Sequence, residues 1–399
     1  MERLAIEGGK PVCSTRLPYG RQWLGGEDIA EVVQVLQGDW ITQGPKIGEF
    51  EEALASRAGA KYAVAFSSGT AALHAACFAA GIGEGDEVIT TPITFAASAN
   101  CVLYMRGTPV FADIEEDTYN LAPNEVEKKI TLRTKAIIPV DFAGQPVELD
   151  EFRELAAKHR LTVIEDAAHA LGASYKGKSI GSLADMTMFS FHPVKAITTG
   201  EGGAVTTNQE QHYRRLSLFR NHGVTRDRGE GPQDWAPWYY EMRELGYNYR
   251  ITDIQCALGL KQLEKLEGFI QRRREIARFY EQCFKEIPEI LTPQERPWVK
   301  SAWHLYVIRL RLDRLRAGRR EVFEALQAEN SGVNVHYIPV YYHPYYQRLG
   351  YRKGSCPKAE RYYEEAITLP LFPRMTEQEA QDVVSAVRKV LGHYRLSRG

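Results

Sequence analysis

The feature that most restricts the fold is a repeating order of short apolar runs and helical stretches between residues 62 and 207. Tyr62 to Phe66, Glu87 to Thr91, Thr108 to Asp113, Ala136 to Phe142, Leu161 to Asp166 and Met186 to Phe191 each read as a strand, and Ala204 to Thr207 adds a short seventh. The runs are apolar without strict alternation. Segments of helical period lie between them, at Ala71 to Ala80, Ala96 to Met105 and Leu149 to His159. Strands that must be buried on both faces, joined by helices, form a mostly parallel central sheet flanked by helices, the α/β class. In such sheets ligands gather in the crevice beyond the strand ends. The residues just after the strands are therefore the candidates for chemistry.

On either side of this region the pattern changes. Residues 1 to 45 read as an arm with one helix, carried by Ile29, Val32, Val33, Val35 and Leu36 and stopped at Gly38. A second helix is expected from about Ile47 to Gly59. From Thr225 to Gly246 no period holds, and a connection of that length is usually functional or mobile; a flap over the ligand is expected. A long amphipathic helix, Ile254 to Phe284, leads away from the first domain. Beyond it come a strand (His304 to Leu312), a helix (Arg320 to Ala328), a strand (Val333 to Ile338) and a last helix opened by Thr376 with Glu379 as a capping box. The expected division is 1–255 for the arm and large domain, and 256–399 for the linking helix and a smaller α+β domain.

Composition removes several function classes. The 399 residues carry a formal net charge of −1, so nothing global points to nucleic acid or an anionic membrane. Arg272-Arg273-Arg274 lies among Glu264, Glu267, Glu275 and Glu281 and reads as a solvated helix face. The six cysteines form no C-x-x-C and show no zinc-ligand spacing, and the ten histidines show no metal-ligand spacing either. No metal is expected. No run reaches the length of a membrane span. The opening Met1-Glu2-Arg3 leads to Gly8-Gly9 with no apolar segment, so a cytoplasmic protein with reduced thiols is expected. H-E-x-x-H does not occur, and the glycines at 200, 202 and 203 do not make a dinucleotide turn.

What remains centres on Lys195. It follows the strand Met186 to Phe191, between the His192-Pro193 break and the Gly200-Glu201-Gly202-Gly203 turn. A lysine is ordinarily a solvated charge. At a strand end it is partly desolvated, loses its proton more easily and becomes a nucleophile toward carbonyl carbon, the chemistry of pyridoxal phosphate enzymes. That chemistry needs three further parts. A carboxylate for the pyridine nitrogen is available in Asp166, which also suits a helix N-cap. A phosphate cradle is available in Ser67-Ser68-Gly69-Thr70, between a strand and an Ala-rich helix, although capping alone explains it. Ser190 is a second hydroxyl within reach. Phe95 could stack on the ring, and His169 could cover or hydrogen-bond it; a core aromatic and a satisfied histidine are the alternatives.

Taken together, SSGTAAL (67–73), EDAAHALGA (165–173), SFHPVKAITTGEGGAVTTN (190–208) and GYNYRITDIQCALGLKQL (246–263) resemble the DegT-type nucleotide-sugar aminotransferases. TQGP (42–45), TPITF (91–95) and VHYIPVY (335–341) extend the resemblance over nearly the whole chain. It implies the type I fold of pyridoxal-phosphate (PLP) enzymes and a homodimer with shared active sites. It implies Lys195 as the residue that bonds the cofactor and transfers the proton, Asp166 at the pyridine nitrogen, and Gly69, Thr70 and Ser190 at the phosphate. Asn248 would reach the other subunit's phosphate. Many relatives have glutamine where this chain has His169. SFHPVK, TTGEGGAV and VHYIPVY look most like the branch serving pseudaminic acid biosynthesis. This implies amination at C4 of a UDP-linked 4-keto-6-deoxy-N-acetylhexose with glutamate as donor. By the same resemblance Tyr19, Thr42, His336 and Tyr337 are sugar-nucleotide contacts. A dTDP- or GDP-linked keto sugar, a PLP-binding regulator without turnover and a nucleotide-binding module without PLP are the competing readings. Lys195, Asp166 and Ser190 together speak against the regulator, and a colourless purified protein would mark the module.

Overall fold

A computed structural model describes residues 2–226 and 236–396 of the chain. Its centre is a seven-stranded sheet made from β1 (Tyr62–Phe66), β2 (Glu87–Thr90), β3 (Thr108–Phe111), β4 (Thr134–Ile138), β5 (Thr162–Asp166), β8 (Met186–Ser190) and β9 (Gly203–Thr207). Two short strands, β6 (Ser174–Tyr175) and β7 (Lys178–Ser179), form a hairpin outside it. The spatial order is β1-β9-β8-β5-β4-β2-β3. Pairing from β8 through β5, β4 and β2 to β3 is parallel, while β9 runs antiparallel to both β8 and β1. The expected mostly parallel sheet is present, with one reversed strand. The connection between β8 and β9, residues 191–202, holds no helix to cross the sheet, and β9 returns antiparallel beside β8.

The helices of the first half are α1 (Gly26–Gln37), α2 (Pro45–Ala58), α3 (Gly69–Ala79), α4 (Ala97–Tyr104), α5 (Pro123–Glu127), α6 (Leu149–His159) and α7 (Glu210–Arg220). The sheet is buried on both faces. Ile89, Ile137, Phe189 and Ala204 face a core with Phe50, Leu54, Phe152 and Phe191, while Val64, Val88, Ile138, Ile164 and Val205 face another with α3. Alternate residues of one strand thus enter opposite cores, which explains why no polar alternation is written in the sequence.

The long helix α8 (Asp253–Phe284) starts at Thr252, which forms a reciprocal capping box with Gln255. Its first half, with Cys256, Leu266 and Ile270, packs on the large core. Its second half, with Ile276, Ala277, Tyr280 and Phe284, joins a further core with strands 306–310 and 366–369 and the final helix Glu377–Tyr394. Thr376 caps that helix with Glu379, as expected. Leu4 and Leu17 of the arm are also buried in this core.

Two segments differ from expectation. Val333 to Ile338 is not a strand. Only Asn334 pairs, with Thr368, and burial is uneven: Val333 and His336 are buried while Ile338 is 43% exposed. The chain here leaves the three-stranded sheet and turns along a cavity. Within Thr225 to Gly246, Val224–Thr225 and Glu241–Met242 pair as a short antiparallel ribbon. The centre of the expected flap, 227–235, lies outside the described residues.

Candidate active site

The strand ends open into one cavity of about 760 Å³. Three pieces of local structure build its floor. β8 ends at Ser190 and the chain turns at His192, whose carbonyl accepts from the Lys195 N–H, so that the lysine projects into the cavity wall. β5 ends at Asp166, beside β8. α3 begins immediately after β1, where the Ser68 hydroxyl accepts from the Ala71 N–H at 3.1 Å. Gly69 lies in tight contact: a Cβ there would lie 3.1 Å from Ser190 Cβ and 3.2 Å from its Oγ, so that Ser190 would have to shift by a few tenths of an ångström. The Ser68-Gly69-Thr70 backbone and Ser190 are thereby brought together at a helix N-terminus, an arrangement suited to a phosphate.

Asp166 is buried. Its Oδ2 accepts from the Ser98 hydroxyl at 2.6 Å and its Oδ1 from the Ala168 N–H at 3.1 Å. Burial pushes its carboxyl above the ordinary range, opposed by those two hydrogen bonds and the Lys195 charge. A cationic ring nitrogen facing it would offset the burial. Burial also pulls the Lys195 ammonium down to about 8, against the pull of Asp166. Near neutral pH a minority of Lys195 is therefore the neutral amine, far more than of an ordinary lysine.

Ser68, Gly69, Thr70, Phe95, Asp166, His169, Ser190 and Lys195 all line this cavity, as do Tyr19, His336 and Tyr337. Phe95 is 64% exposed and is not a core aromatic. Thr42 and Asn248 are elsewhere. Thr42 bridges Thr252 and Asn248 bridges Asn221, and neither lines the cavity. Sequence reasoning missed Ser98, the residue that fixes Asp166; its place three residues after Phe95 at the start of α4 was the available signal. It also missed His304, whose ring lies 4.3 Å from that of His169, and Asn334 and Ile338 on the cavity wall.

The residues present fit PLP: an amine of lowered basicity, a buried carboxyl held by two donors, and a cradle that a Cβ at position 69 would fill. Among the described residues no group of three or more His, Cys, Asp or Glu side chains could hold a metal, and no helix is long and apolar enough to cross a membrane.

Comparison with known proteins agrees with this chemistry. A model of the DegT/DnrJ/EryC1/StrS aminotransferase family matches residues 22–388. The spore coat polysaccharide biosynthesis protein SpsC of Bacillus subtilis is 44% identical over 94% of this chain and 97% of its own. Helicobacter pylori PseC, an aminotransferase of pseudaminic acid biosynthesis, superposes with TM-score 0.89 at 35% identity, over 95% of this chain and 100% of its own. The PLP form of Spr1654 from Streptococcus pneumoniae, a sugar aminotransferase, superposes with TM-score 0.88 at 32% identity, over 95% of this chain and 99% of its own.

Proposed function

The chain belongs to the DegT/DnrJ/EryC1/StrS aminotransferase family, and from that premise we propose its reaction: transfer of an amino group from L-glutamate to C4 of a UDP-linked 4-keto-6-deoxy-N-acetylhexose, as in pseudaminic acid biosynthesis. The activity class is a PLP-dependent sugar aminotransferase. The observation that carries the finer reading is the single cavity in which Lys195 and Asp166 face a wall of Tyr19, Asn334, His336, Tyr337 and Ile338. That wall offers aromatic faces and uncharged hydrogen-bonding groups, which suit a sugar with an amide substituent. The likeness to PseC over 95% of the chain supports the choice of sugar.

PLP supplies an electron sink that stabilises negative charge on the carbon next to the substrate nitrogen. In this reading Lys195 would bond PLP, Asp166 would hold its pyridine nitrogen, Ser68, Gly69, Thr70 and Ser190 would hold its phosphate, and Phe95 would cover the ring. Once released by the donor amine, Lys195 Nζ takes the proton from the glutamate α-carbon, and later delivers a proton to C4 of the sugar. Ser98 keeps Asp166 pointed at the ring. Tyr19, His336 and Tyr337 orient the sugar. Asn248 and Thr42, which stand away from their own chain's cavity, serve the cavity of a second copy in a homodimer.

The amination half-reaction tests the substrate. The protein is first converted with glutamate to its amine-loaded form and freed of donor. UDP-, dTDP- and GDP-linked 4-keto sugars are then added singly while the cofactor absorbance is followed. Recovery of the original spectrum only with the UDP-linked N-acetylhexose supports the proposal. Recovery only with dTDP or GDP sugars would replace the substrate and keep the chemistry.

A further inference from the structure

His169 lines the cavity, and both of its ring nitrogens have partners within the protein. Nδ1 faces the backbone N–H of Ala143 at 3.3 Å. A backbone N–H can only donate, so Nδ1 is the lone-pair nitrogen. A neutral imidazole then carries its proton on Nε2, which lies 3.2 Å from the Tyr337 hydroxyl. The charged form would set N–H against N–H. It is further opposed by burial first and then by the charges of Lys195 and His336, which hold His169 well below its ordinary value. The tautomer is therefore fixed by the backbone, and Nε2–H donates to the tyrosine oxygen.

This arrangement has a consequence for Tyr337. Its oxygen accepts from His169, so its own O–H must donate elsewhere. Among the described residues the hydroxyl has no other hydrogen-bond partner, and Tyr337 lines the cavity. Burial pushes its phenol above the ordinary range, so it keeps its proton. The support beneath is rigid. The His304 ring packs against His169, tilted by 37° with centroids 4.3 Å apart. Segment 302–305 is tied to the turn that carries Ala143, because Ala302 N–H donates to the Gly144 carbonyl and Leu305 N–H to that of Ala143. Gly144 makes this close approach possible: at φ +95° a Cβ would lie 2.9 Å from both the His169 carbonyl oxygen and Trp303 N.

We propose that His169 is a positioning residue for Tyr337, holding its hydroxyl as a one-way hydrogen-bond donor toward an oxygen of the bound sugar. The inference rests on the sugar-aminotransferase reading. The sugar is the acceptor in this reading because Tyr337 stands with His336 and Ile338 on the 336–338 wall of the cavity, the wall assigned above to the sugar.

The test is a double-mutant cycle in the PLP-loaded enzyme with His169→Leu, Tyr337→Phe and the pair, reading the two half-reactions separately. Either single change should raise the KM for the keto sugar about fivefold, the worth of one hydrogen bond, and leave the glutamate half-reaction unchanged. The double variant should be no worse than Tyr337→Phe. His169→Gln should recover most of the loss, since an amide can accept from Ala143 and donate to Tyr337. An unchanged sugar KM in His169→Leu, additive losses in the pair, or an equal loss in the glutamate half-reaction would overturn the proposal; the last would place His169 on the cofactor. Should His169→Leu fail to fold, His169→Gln against Tyr337→Phe still decides. Nitrogen-15 NMR of the histidines gives a readout independent of any sugar. The His169 signals should show a protonated Nε2 and a bare Nδ1, with Nε2 shifting in Tyr337→Phe; a protonated Nδ1 overturns the arrangement. If the wild type aminates no keto sugar, the proposed function fails, while the NMR result still decides whether His169 holds Tyr337.

Discussion

At the scale of single residues, the chemistry turns on how burial changes basicity. Lys195 is pulled down to about 8 by burial, so its nucleophilic form is gained as pH rises through that value. The rate of PLP capture by the apo protein should therefore rise with pH around a midpoint of about 8, followed by absorbance; a midpoint near the ordinary lysine value of 10.5 would contradict the assignment. Lys195→Ala should keep the fold, measured by circular dichroism, and lose turnover by a factor of about 10² to 10⁴ or more, since proton transfer goes with it. Gly69→Ala should weaken PLP binding, because its Cβ would sit 3.1 Å from that of Ser190 and displace one wall of the cradle. A fluorescence titration with PLP measures the effect, expected at about 1–2 kcal/mol. Lys195, Asp166 and the 67–70 cradle were legible in the sequence because each lies at or shortly beyond the end of a strand. Ser98, His304 and Asn334 were not, because their roles depend on which residues they meet across the fold.

At the scale of elements, β5 is the most heavily loaded strand. Asp166 points to the cavity, while Glu165 points to the opposite side and meets Asp141. Both carboxyls of that pair are buried. Val147 N–H donates to Asp141 Oδ1 and the Thr187 hydroxyl to Glu165 Oε2, while Asp141 Oδ2 and Glu165 Oε1 have no other partner. Two buried carboxyls in contact cannot both ionise, so they share a proton. Burial raises Glu165 from 4.5 to about 7, and burial followed by the Glu165 charge pushes Asp141 well above its ordinary value. The native state holds this proton more tightly than the unfolded chain does. The stability it confers is complete below about 4.5 and lost as pH rises through about 7. Urea unfolding of Glu165→Gln, which keeps the hydrogen bonds without the titration, should show a flatter pH dependence between those values than the wild type. An unchanged slope would refute the shared proton. Thr162 to Asp166 was readable as a strand, but an acidic pair at its buried end was not, since Asp141 arrives from a different connection.

At the scale of the whole molecule, α8 joins two cores, and Arg273 is its fastening. That side chain is fully buried, donates to the carbonyls of Trp303 (3.4 Å), His304 (3.2 Å) and Leu371 (2.9 Å), and is pulled down to about 10 by burial. Read as a sequence, Arg272-Arg273-Arg274 was a solvated face. The structure corrects this for Arg273, which ties the linking helix to the backbone supporting His304. Arg273→Met should lower stability by about 2–4 kcal/mol, seen as a lower urea midpoint with an unchanged slope, because three carbonyls lose their donor. The exposed apolar residues Trp40, Phe95, Trp238, Met242 and Leu245 suit a surface covered by a second copy. If Asn248 serves the other chain, Lys195→Ala and Asn248→Ala proteins, each inactive alone, should regain partial activity when unfolded and refolded together. No recovery would argue for sites complete within one chain.

The sequence by itself determined the parallel sheet, the positions of its strand ends, the cap of the final helix, and the placing of Lys195, Asp166 and the 67–70 turn at those strand ends. All of these depend on period, local turn chemistry and position relative to a strand, which neighbours along the chain decide. Only the tertiary structure decided that Tyr19 and 336–338 close the cavity, that 333–338 leaves its sheet, that Arg273 is buried, and that His169 meets Tyr337 and His304. Those outcomes depend on which distant backbone and side-chain groups are left to satisfy one another after the cores have packed, and no local pattern carries that information.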